Sequence, residues 1–211
     1  LESFVPEQAV AVFRRHGVTM SGGSTAFYQA FLGEQRKQLG TPILPSLRLL
    51  AGGGAPKPPE LFHQVRRELG IPIVHGYGMT ECPMIANGTP SDTDEQLANS
   101  DGRPVVGCEL RVVEGEIRVR GPMLCLGYTD PALTAEAFDA EGFFRTGDLG
   151  HLRADGHLVL TGRSKELILR KGENLSPREI EDLIATHPSV AAVAVIGLPD
   201  AERGERVCAV V

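Results

Sequence analysis

The sequence predicts an α/β segment, then a β-rich segment, then the start of a small α+β segment. Three observations lead to this fold class. Helix and strand patterns alternate over residues 1–90, short strands and turns fill 91–162, and a capped helix between strands occupies 163–211. Alternating helices and strands indicate parallel strands with crossover helices, whereas closely spaced strands and turns indicate antiparallel sheet. We therefore predict three domains with these boundaries.

The elements of the first segment follow from their apolar spacing and their end signals. Residues 6–16, 25–36 and 58–69 have the helical spacing of apolar residues. The first of these helices has proline in its first turn, and glycine follows the first and the third as a stop. Residues 47–50 and 71–74 are predicted to be the buried strands that alternate with them.

The later elements are shorter and are bounded by turns. Residues 154–156 (Ala-Asp-Gly) predict the turn of a β-hairpin. Ser176, followed by proline and then glutamate, predicts a capped helix start, with Leu183 among the residues facing inward. Residues 190–196 and 207–211 are predicted strands that complete this part of the chain.

Composition and charge exclude several classes of protein. A net charge of −6 leaves no basic surface for nucleic acid. No apolar run approaches the roughly 20 residues that span a bilayer, and the first residues lack the pattern of a secretory leader. The four cysteines are too widely spaced for a zinc site or a disulfide framework. We expect a cytoplasmic protein without a transmembrane segment or a nucleic-acid partner.

Two glycine-containing segments carry candidate binding residues. Residues 52–56 (Gly-Gly-Gly-Ala-Pro) lie between a strand and a helix, where glycine lets the backbone approach a flat or anionic ligand. A plain tight turn explains them equally well. Residues 75–81 combine the ring of Tyr77, the hydroxyl of Thr80 and the carboxylate of Glu81. These groups suit purine stacking, phosphate contact and Mg²⁺ binding, although in isolation the segment also fits an ordinary strand-to-loop turn.

Further along the chain, single charged residues have two interpretations. The carboxylate of Asp148 follows a tight turn and could accept hydrogen bonds from both hydroxyls of a ribose, or it could stabilise its own turn. Arg163 and Lys165, taken alone, are typical of solvated surface charges.

These segments occur in an order that resembles a known family. Residues 75–81, 144–148, 162–166 and 171–174, together with Tyr128, are similar to the motifs of the adenylate-forming enzymes. That superfamily contains the acyl-CoA synthetases, the firefly-type luciferases and the peptide-synthetase adenylation domains. The resemblance implies an enzyme that uses ATP to convert a carboxylic acid to acyl-AMP and then transfers the acyl group to coenzyme A. It also implies that the third segment is the start of a small mobile C-terminal domain.

The resemblance implies a role for each candidate residue. Thr80 and Glu81 would be catalytic, with Thr80 at the α-phosphate and Glu81 holding Mg²⁺. Asp148 would bind the ribose, Lys165 would be the hinge of the mobile domain, and Gly172 would lie along the coenzyme A channel. The residues that would bind ATP or AMP are Gly53, Gly54, Ala55, Pro56, Gly76, Tyr77, Gly78, Thr80, Asp148 and Arg163.

The same resemblance implies parts that these 211 residues lack. The phosphate-binding loop would lie upstream of Leu1 and the C-terminal catalytic lysine beyond Val211, so we expect the 211 residues alone to be inactive. Residues 81–84 (Glu-Cys-Pro-Met) favour ligases of fatty, alicyclic or aromatic acids. There are two alternatives to an acyl-CoA synthetase: an adenylation domain that activates an amino or aryl acid for a carrier protein, and a non-catalytic AMP-binding module. Interrupted sheets with exposed edges would favour a homo-oligomer.

Overall fold

The computed structural model describes residues 3–38, 40–187, 189–190, 192–200 and 202–211. The chain forms two compact units. The first runs to Met79 and resumes at Ala86–Arg103, and the second consists of Thr80–Ile85 and Pro104–Val211. Within the described ranges, no helix has both the length and the apolar character needed to cross a membrane. The three-domain division stays a prediction.

The first unit is built on a five-stranded sheet with the strands in chain order. Its elements are α1 (Pro6–His16), β1 (Met20–Gly23), α2 (Thr25–Lys37), β2 (Leu49–Gly53), α3 (Pro59–Leu69), β3 (Ile73–Tyr77), β4 (Ala86–Asn87), α4 (Asp94–Asn99) and β5 (Arg103–Pro104). Strands β1, β2 and β3 are parallel, and β4 is antiparallel to β3. Helices α2 and α3 connect the parallel strands, which confirms the predicted crossover arrangement.

Local signals explain where α1 and α3 begin and end. Both helices have proline in the first turn, where its missing N–H has no helical partner to lose. They end at Gly17 and Gly70, whose φ angles of 58° and 75° are readily adopted by glycine. Their buried faces join α2 and the sheet in one apolar core, which includes Tyr28, Phe31, Leu32, Leu50, Phe62, Val65 and Ile73.

The second unit contains two antiparallel sheets. Its elements are β6 (Glu109–Val113), β7 (Glu116–Arg120), α5 (Pro131–Ala137), β8 (Phe144–Leu152), β9 (Leu158–Arg163), β10 (Ile168–Arg170), β11 (Glu173–Leu175), α6 (Pro177–Ile184), β12 (Ala194–Asp200) and β13 (Gly204–Val210). One sheet has the order β6-β7-β8-β9 and the other the order β11-β10-β13-β12. The sheet β6-β7-β8-β9 confirms the antiparallel strands that the sequence predicts within residues 91–162.

Turn chemistry sets the hairpins of the first of these sheets. Glu114 and Gly115 connect β6 to β7 with φ angles of 53° and 85°. Positive φ at both central residues is the requirement of the hairpin turn whose twist matches that of the strands. The predicted turn at 154–156 does connect β8 to β9, and the Arg153 N–H donates to the His157 carbonyl at 2.8 Å.

Two predictions about α6 are wrong. The hydroxyl of Ser176 donates to the Thr161 carbonyl and does not cap the helix. Leu183 is 73% exposed. The helix turns Glu181 toward β12, where its carboxylate accepts the Val195 N–H at 2.7 Å. Because Leu183 lies two residues on, roughly 200° around the helix, it faces away from that strand.

Asp139 organises the connection that leads into β8, and this predicts an acid-sensitive contribution to stability. The Phe143 N–H and the Arg118 guanidinium donate to its carboxylate at 2.9 and 3.1 Å, and they hold the pKa of Asp139 below its usual range. The stabilisation is present above the unfolded pKa of about 4 and is lost as pH falls through the lower folded value.

We expect Asp139→Asn to lower the free energy of unfolding at pH 7 and to make it less dependent on pH between about 4 and 2. Urea denaturation at a series of pH values measures both effects. Glu136→Gln, at an exposed carboxylate on α5, is the matched control. Parallel pH profiles for wild type and Asp139→Asn would contradict the assignment.

Candidate active site

In the first unit, the three parallel strands have glycine at or next to the residue where each strand ends. Gly53 of β2 is in register with Gly76 of β3, and Gly23 of β1 is in register with Gly52. A Cβ on Gly53 would lie 2.3 Å from the Gly76 carbonyl oxygen, so the two backbones are in direct contact. In open α/β sheets, ligands bind outside the carboxyl ends of the strands. Glycine is therefore required at position 53 by the close approach of β2 and β3, at the edge of the sheet where such ligands bind.

The turn that follows β2 leads to a buried lysine. Gly54 is exposed with a φ of 80°, and Ala55 and Pro56 continue the turn. Lys57 is only 3% exposed, and its Nζ donates to the Ala98 carbonyl of α4 at 2.7 Å. This bond ties the end of the turn to the end of a helix. Sequence reasoning missed Lys57 because a lysine after such a turn is typically exposed.

Tyr77 is the last residue of β3, a strand whose residues are all buried. Its backbone pairs with Ala86 of β4. The neighbouring Gly76 is enclosed as well, because a Cβ there would lie 2.4 Å from Asn87 Oδ1. Gly78, directly after the strand, is half-buried. The strand thus holds Tyr77 rigidly at the carboxyl edge of the sheet.

In the second unit, the side chain and the main chain of Glu81 are both bound by one distant segment. Tyr128 Oη donates to Glu81 Oε1 at 2.7 Å, and the Cys125 N–H donates to the Glu81 carbonyl at 2.7 Å. The hydrogen bond to the Glu81 carboxylate raises the pKa of Tyr128 to about 12, with burial as a lesser cause. Thr80, next to Glu81, is exposed.

Asp148 and Arg163 form an ion pair across neighbouring strands of the second unit. They are in register on β8 and β9, and Arg163 Nε donates to Asp148 Oδ1 at 2.8 Å. The Asp148 side chain is 11% exposed, whereas that of Arg163 is 56% exposed. The Asp148 N–H donates to the hydroxyl of the buried Thr146 at 3.1 Å. The ion pair therefore holds the carboxylate beside a cation, and the Thr146 hydroxyl fixes the main chain of Asp148.

The predicted hinge and channel residues lie beyond this pair. Lys165 is exposed in a single 3₁₀ turn, Ser164–Glu166, that joins β9 to β10. Gly172 is exposed in the turn between β10 and β11, where its φ of 84° follows a φ of 51° at Lys171. A non-glycine residue at 172 would be strained by this backbone conformation.

The candidate donors fit a magnesium ion that is bound together with a phosphate ligand. The described part of the chain contains no group of three or more His, Cys, Asp or Glu side chains arranged to hold a metal. Mg²⁺ usually binds through one or two carboxylates, with substrate phosphates and water completing its octahedron. A single carboxylate such as Glu81 suits this mode and does not suit a cage made of protein ligands alone.

Comparisons with known proteins agree with this arrangement. A profile of the AMP-binding enzymes matches residues 2–129, and a profile of the AMP-binding enzyme C-terminal domain matches residues 179–211. The chain belongs to the AMP-binding enzyme family. The predicted family resemblance is confirmed, and with it the predicted fold class.

Three similar proteins illustrate the range of the family. The indoleacetate–CoA ligase of Aromatoleum aromaticum is 41% identical over 180 residues, which are 80% of this chain and 35% of that protein. The salicyl-AMP ligase/salicyl-S-ArCP synthetase of Mycobacterium tuberculosis is 37% identical, over 98% of this chain and 38% of that protein. The crystal structure of ATP-bound MatB from Rhodopseudomonas palustris matches with a TM-score of 0.91 at 31% identity, over 99% of this chain and 43% of MatB.

The chain thus spans between a third and a half of the length of these AMP-binding relatives. The structure brings predicted site residues together in two pairs, Gly53 with Gly76 and Asp148 with Arg163, and it joins Glu81 to Tyr128, to which the sequence assigned no role. Their roles toward a ligand remain proposals, as do those of Lys165 and Gly172.

Proposed function

We propose that this AMP-binding enzyme chain is part of an acyl-CoA synthetase. In the whole protein, a carboxylate oxygen of the acid attacks the α-phosphorus of ATP, the bond to pyrophosphate breaks, and acyl-AMP forms. The sulfur of coenzyme A then attacks the acyl carbonyl carbon and AMP leaves. CoA ligases are among the similar proteins, including the indoleacetate–CoA ligase.

The observation that carries the proposal is the pair formed by Asp148 and Arg163. A carboxylate that is mostly buried and held at 2.8 Å from a guanidinium, on a main chain fixed by the Thr146 hydroxyl, is suited to accept two hydroxyl hydrogen bonds. We assign the ribose hydroxyls to Asp148. Arg163, with more than half of its side chain exposed, is available to the sugar-phosphate region of the same nucleotide.

The remaining roles are proposed from the same chemistry. The main chain at Gly53, Gly54, Ala55 and Pro56 lies along the adenine, and Tyr77, flanked by Gly76 and Gly78, packs on its ring. Thr80 donates its hydroxyl to the α-phosphate, and Glu81 holds Mg²⁺. The ion, when bound, neutralises charge on the phosphate oxygens. Lys165 is the hinge, and Gly172 leaves room for the arm of coenzyme A.

A carrier-protein acceptor is the second candidate, and one observation favours it. The salicyl-AMP ligase/salicyl-S-ArCP synthetase matches nearly the whole chain at 37% identity. Thioester formation by the full protein, with coenzyme A and with an aryl carrier protein as acceptors, separates the two functions. Acids of graded chain length in the same assay give the substrate class. AMP binding without any pyrophosphate exchange would instead support a non-catalytic module.

We expect Asp148→Asn to raise the KM for ATP about 10- to 100-fold, which corresponds to the ~1.5–3 kcal/mol of hydrogen bonds to a charged group. The KM for the acid should change little. ATP–pyrophosphate exchange by the full protein measures both values, and Asp155→Asn, in the hairpin turn of the same sheet, is the control. An unchanged KM for ATP would exclude Asp148 from the ribose site. The 211 residues alone are expected to give no exchange.

A further inference from the structure

We propose that Tyr128 is a positioning residue for Glu81, so that it sets the affinity of the site for the divalent cation. The inference rests on the proposed function, in which Glu81 holds Mg²⁺. It is drawn from the second unit alone, where Tyr128, Glu81 and helix α5 are connected by a continuous series of contacts.

The first step is the way in which Glu81 is held. Tyr128 Oη donates to Oε1 of a residue 47 positions earlier in the chain, at 2.7 Å. The Cys125 N–H holds the Glu81 main chain at the same distance. The described part of the chain places no donor on the other carboxylate oxygen, Oε2. The protein thus orients one oxygen of the carboxylate, and the same bond sets the direction of the other.

The second step is the way in which Tyr128 is held. Its N–H donates to Thr134 Oγ1 at 2.8 Å, and that hydroxyl donates in turn to the Asp130 carbonyl at 3.1 Å. Gly127 has a φ of 147°, and a Cβ there would lie 2.7 Å from the methyl carbon of Thr134. Glycine is therefore required at position 127, because of its backbone conformation and because Thr134 packs directly against it. This fixes the chain just before Tyr128.

The third step concerns helix α5, none of whose residues is buried. Pro131 opens the helix, and the Asp130 side chain caps it by accepting the Ala132 N–H at 2.8 Å. Packing of apolar side chains does not explain why the helix forms at this place. The hydroxyl of Thr134, which lies on this helix, does have a specific partner, because it accepts the hydrogen bond from the Tyr128 N–H. We assign to α5 the task of fixing Tyr128.

The expected consequence follows from how metal sites are tuned. Groups that hydrogen-bond to a metal-binding side chain orient it, and their removal typically lowers metal affinity ~10- to 100-fold. Without the phenol hydroxyl, the Glu81 carboxylate can rotate freely, and the cation loses a preoriented ligand. The nucleotide's base and sugar do not depend on this contact in the proposed site.

The test compares Tyr128→Phe with wild type in the full protein. Mn²⁺ is the probe, because its binding to the protein–ATP complex can be followed by electron paramagnetic resonance without turnover. We expect the Kd for Mn²⁺ to rise ~10- to 100-fold in Tyr128→Phe, and by a smaller factor in Thr134→Val. The Kd for AMP without metal and the melting temperature should match wild type. Leu126→Ala, at a fully exposed position in the same segment, is the control.

Each outcome decides one question. Wild-type Mn²⁺ affinity in Tyr128→Phe would overturn the inference and leave the proposed function standing. A parallel loss of Mn²⁺ affinity, AMP affinity and melting temperature would show that Tyr128 only braces the fold, which also overturns it. If wild-type protein binds neither AMP nor Mn²⁺–ATP, the proposed function itself fails.

Discussion

Glu81→Gln is expected to lower kcat/KM for ATP–pyrophosphate exchange by ~10²- to 10³-fold, the loss seen when one preorganised electrostatic group is removed from a site. Glutamine keeps the size of the side chain, and its amide oxygen can still accept a hydrogen bond from the Tyr128 hydroxyl. It removes the negative charge that would hold Mg²⁺ at the phosphates. The loss should therefore come from the metal and not from the fold.

Exchange rates of the full protein over a range of Mg²⁺ concentrations check this prediction. The variant should need more Mg²⁺ for half-maximal rate, and its melting temperature should stay at the wild-type value. Glu136→Gln is again the control for loss of a carboxylate. A Glu81→Gln enzyme with wild-type Mg²⁺ dependence would remove Glu81 from the metal site. Because Tyr128 acts only through Glu81, its effect should be the smaller of the two.

Gly52→Ala is expected to unfold the first unit. The Cβ would lie 1.7 Å from the Gly23 carbonyl oxygen and 2.6 Å from Tyr28 Oη, and the φ of 154° is unfavourable for any side chain. Tyr28 cannot move aside, because it is fully buried and donates to the same carbonyl at 3.0 Å. Strands β1 and β2 would have to separate. A loss above ~4 kcal/mol is a large part of the stability of a domain.

Circular dichroism during thermal and urea denaturation measures this loss, and Gly33→Ala is the matched control. Gly33 lies within α2, and no atom lies within 4 Å of a Cβ at that position. Alanine there should stabilise the helix by about 0.5–1 kcal/mol. If Gly52→Ala unfolds at the same urea concentration as wild type, the close approach of β1 and β2 is wrong.

Much of the fold could be predicted because its signals are local. Apolar spacing and a terminal glycine located α1 and α3, with proline in the first turn as a further signal for α1, and the Ala-Asp-Gly turn located the hairpin of β8 and β9. The order of the motifs was enough to predict the family. The wrong predictions for Ser176 and Leu183 also came from local rules. There, partners on other strands, the Thr161 carbonyl and Val195, decided the geometry.

The candidate site divides in the same way. Residue types and their order in the sequence determined which side chains are candidates: the glycines after β2, Tyr77, Glu81, Asp148 and Arg163. Only the tertiary structure decided that Tyr128 holds Glu81 and that Lys57 is buried against α4. Turns and helix ends are encoded within a few neighbouring residues. A hydrogen bond across 47 positions depends on which segments the folded chain brings together, and a single sequence contains no direct signal for it.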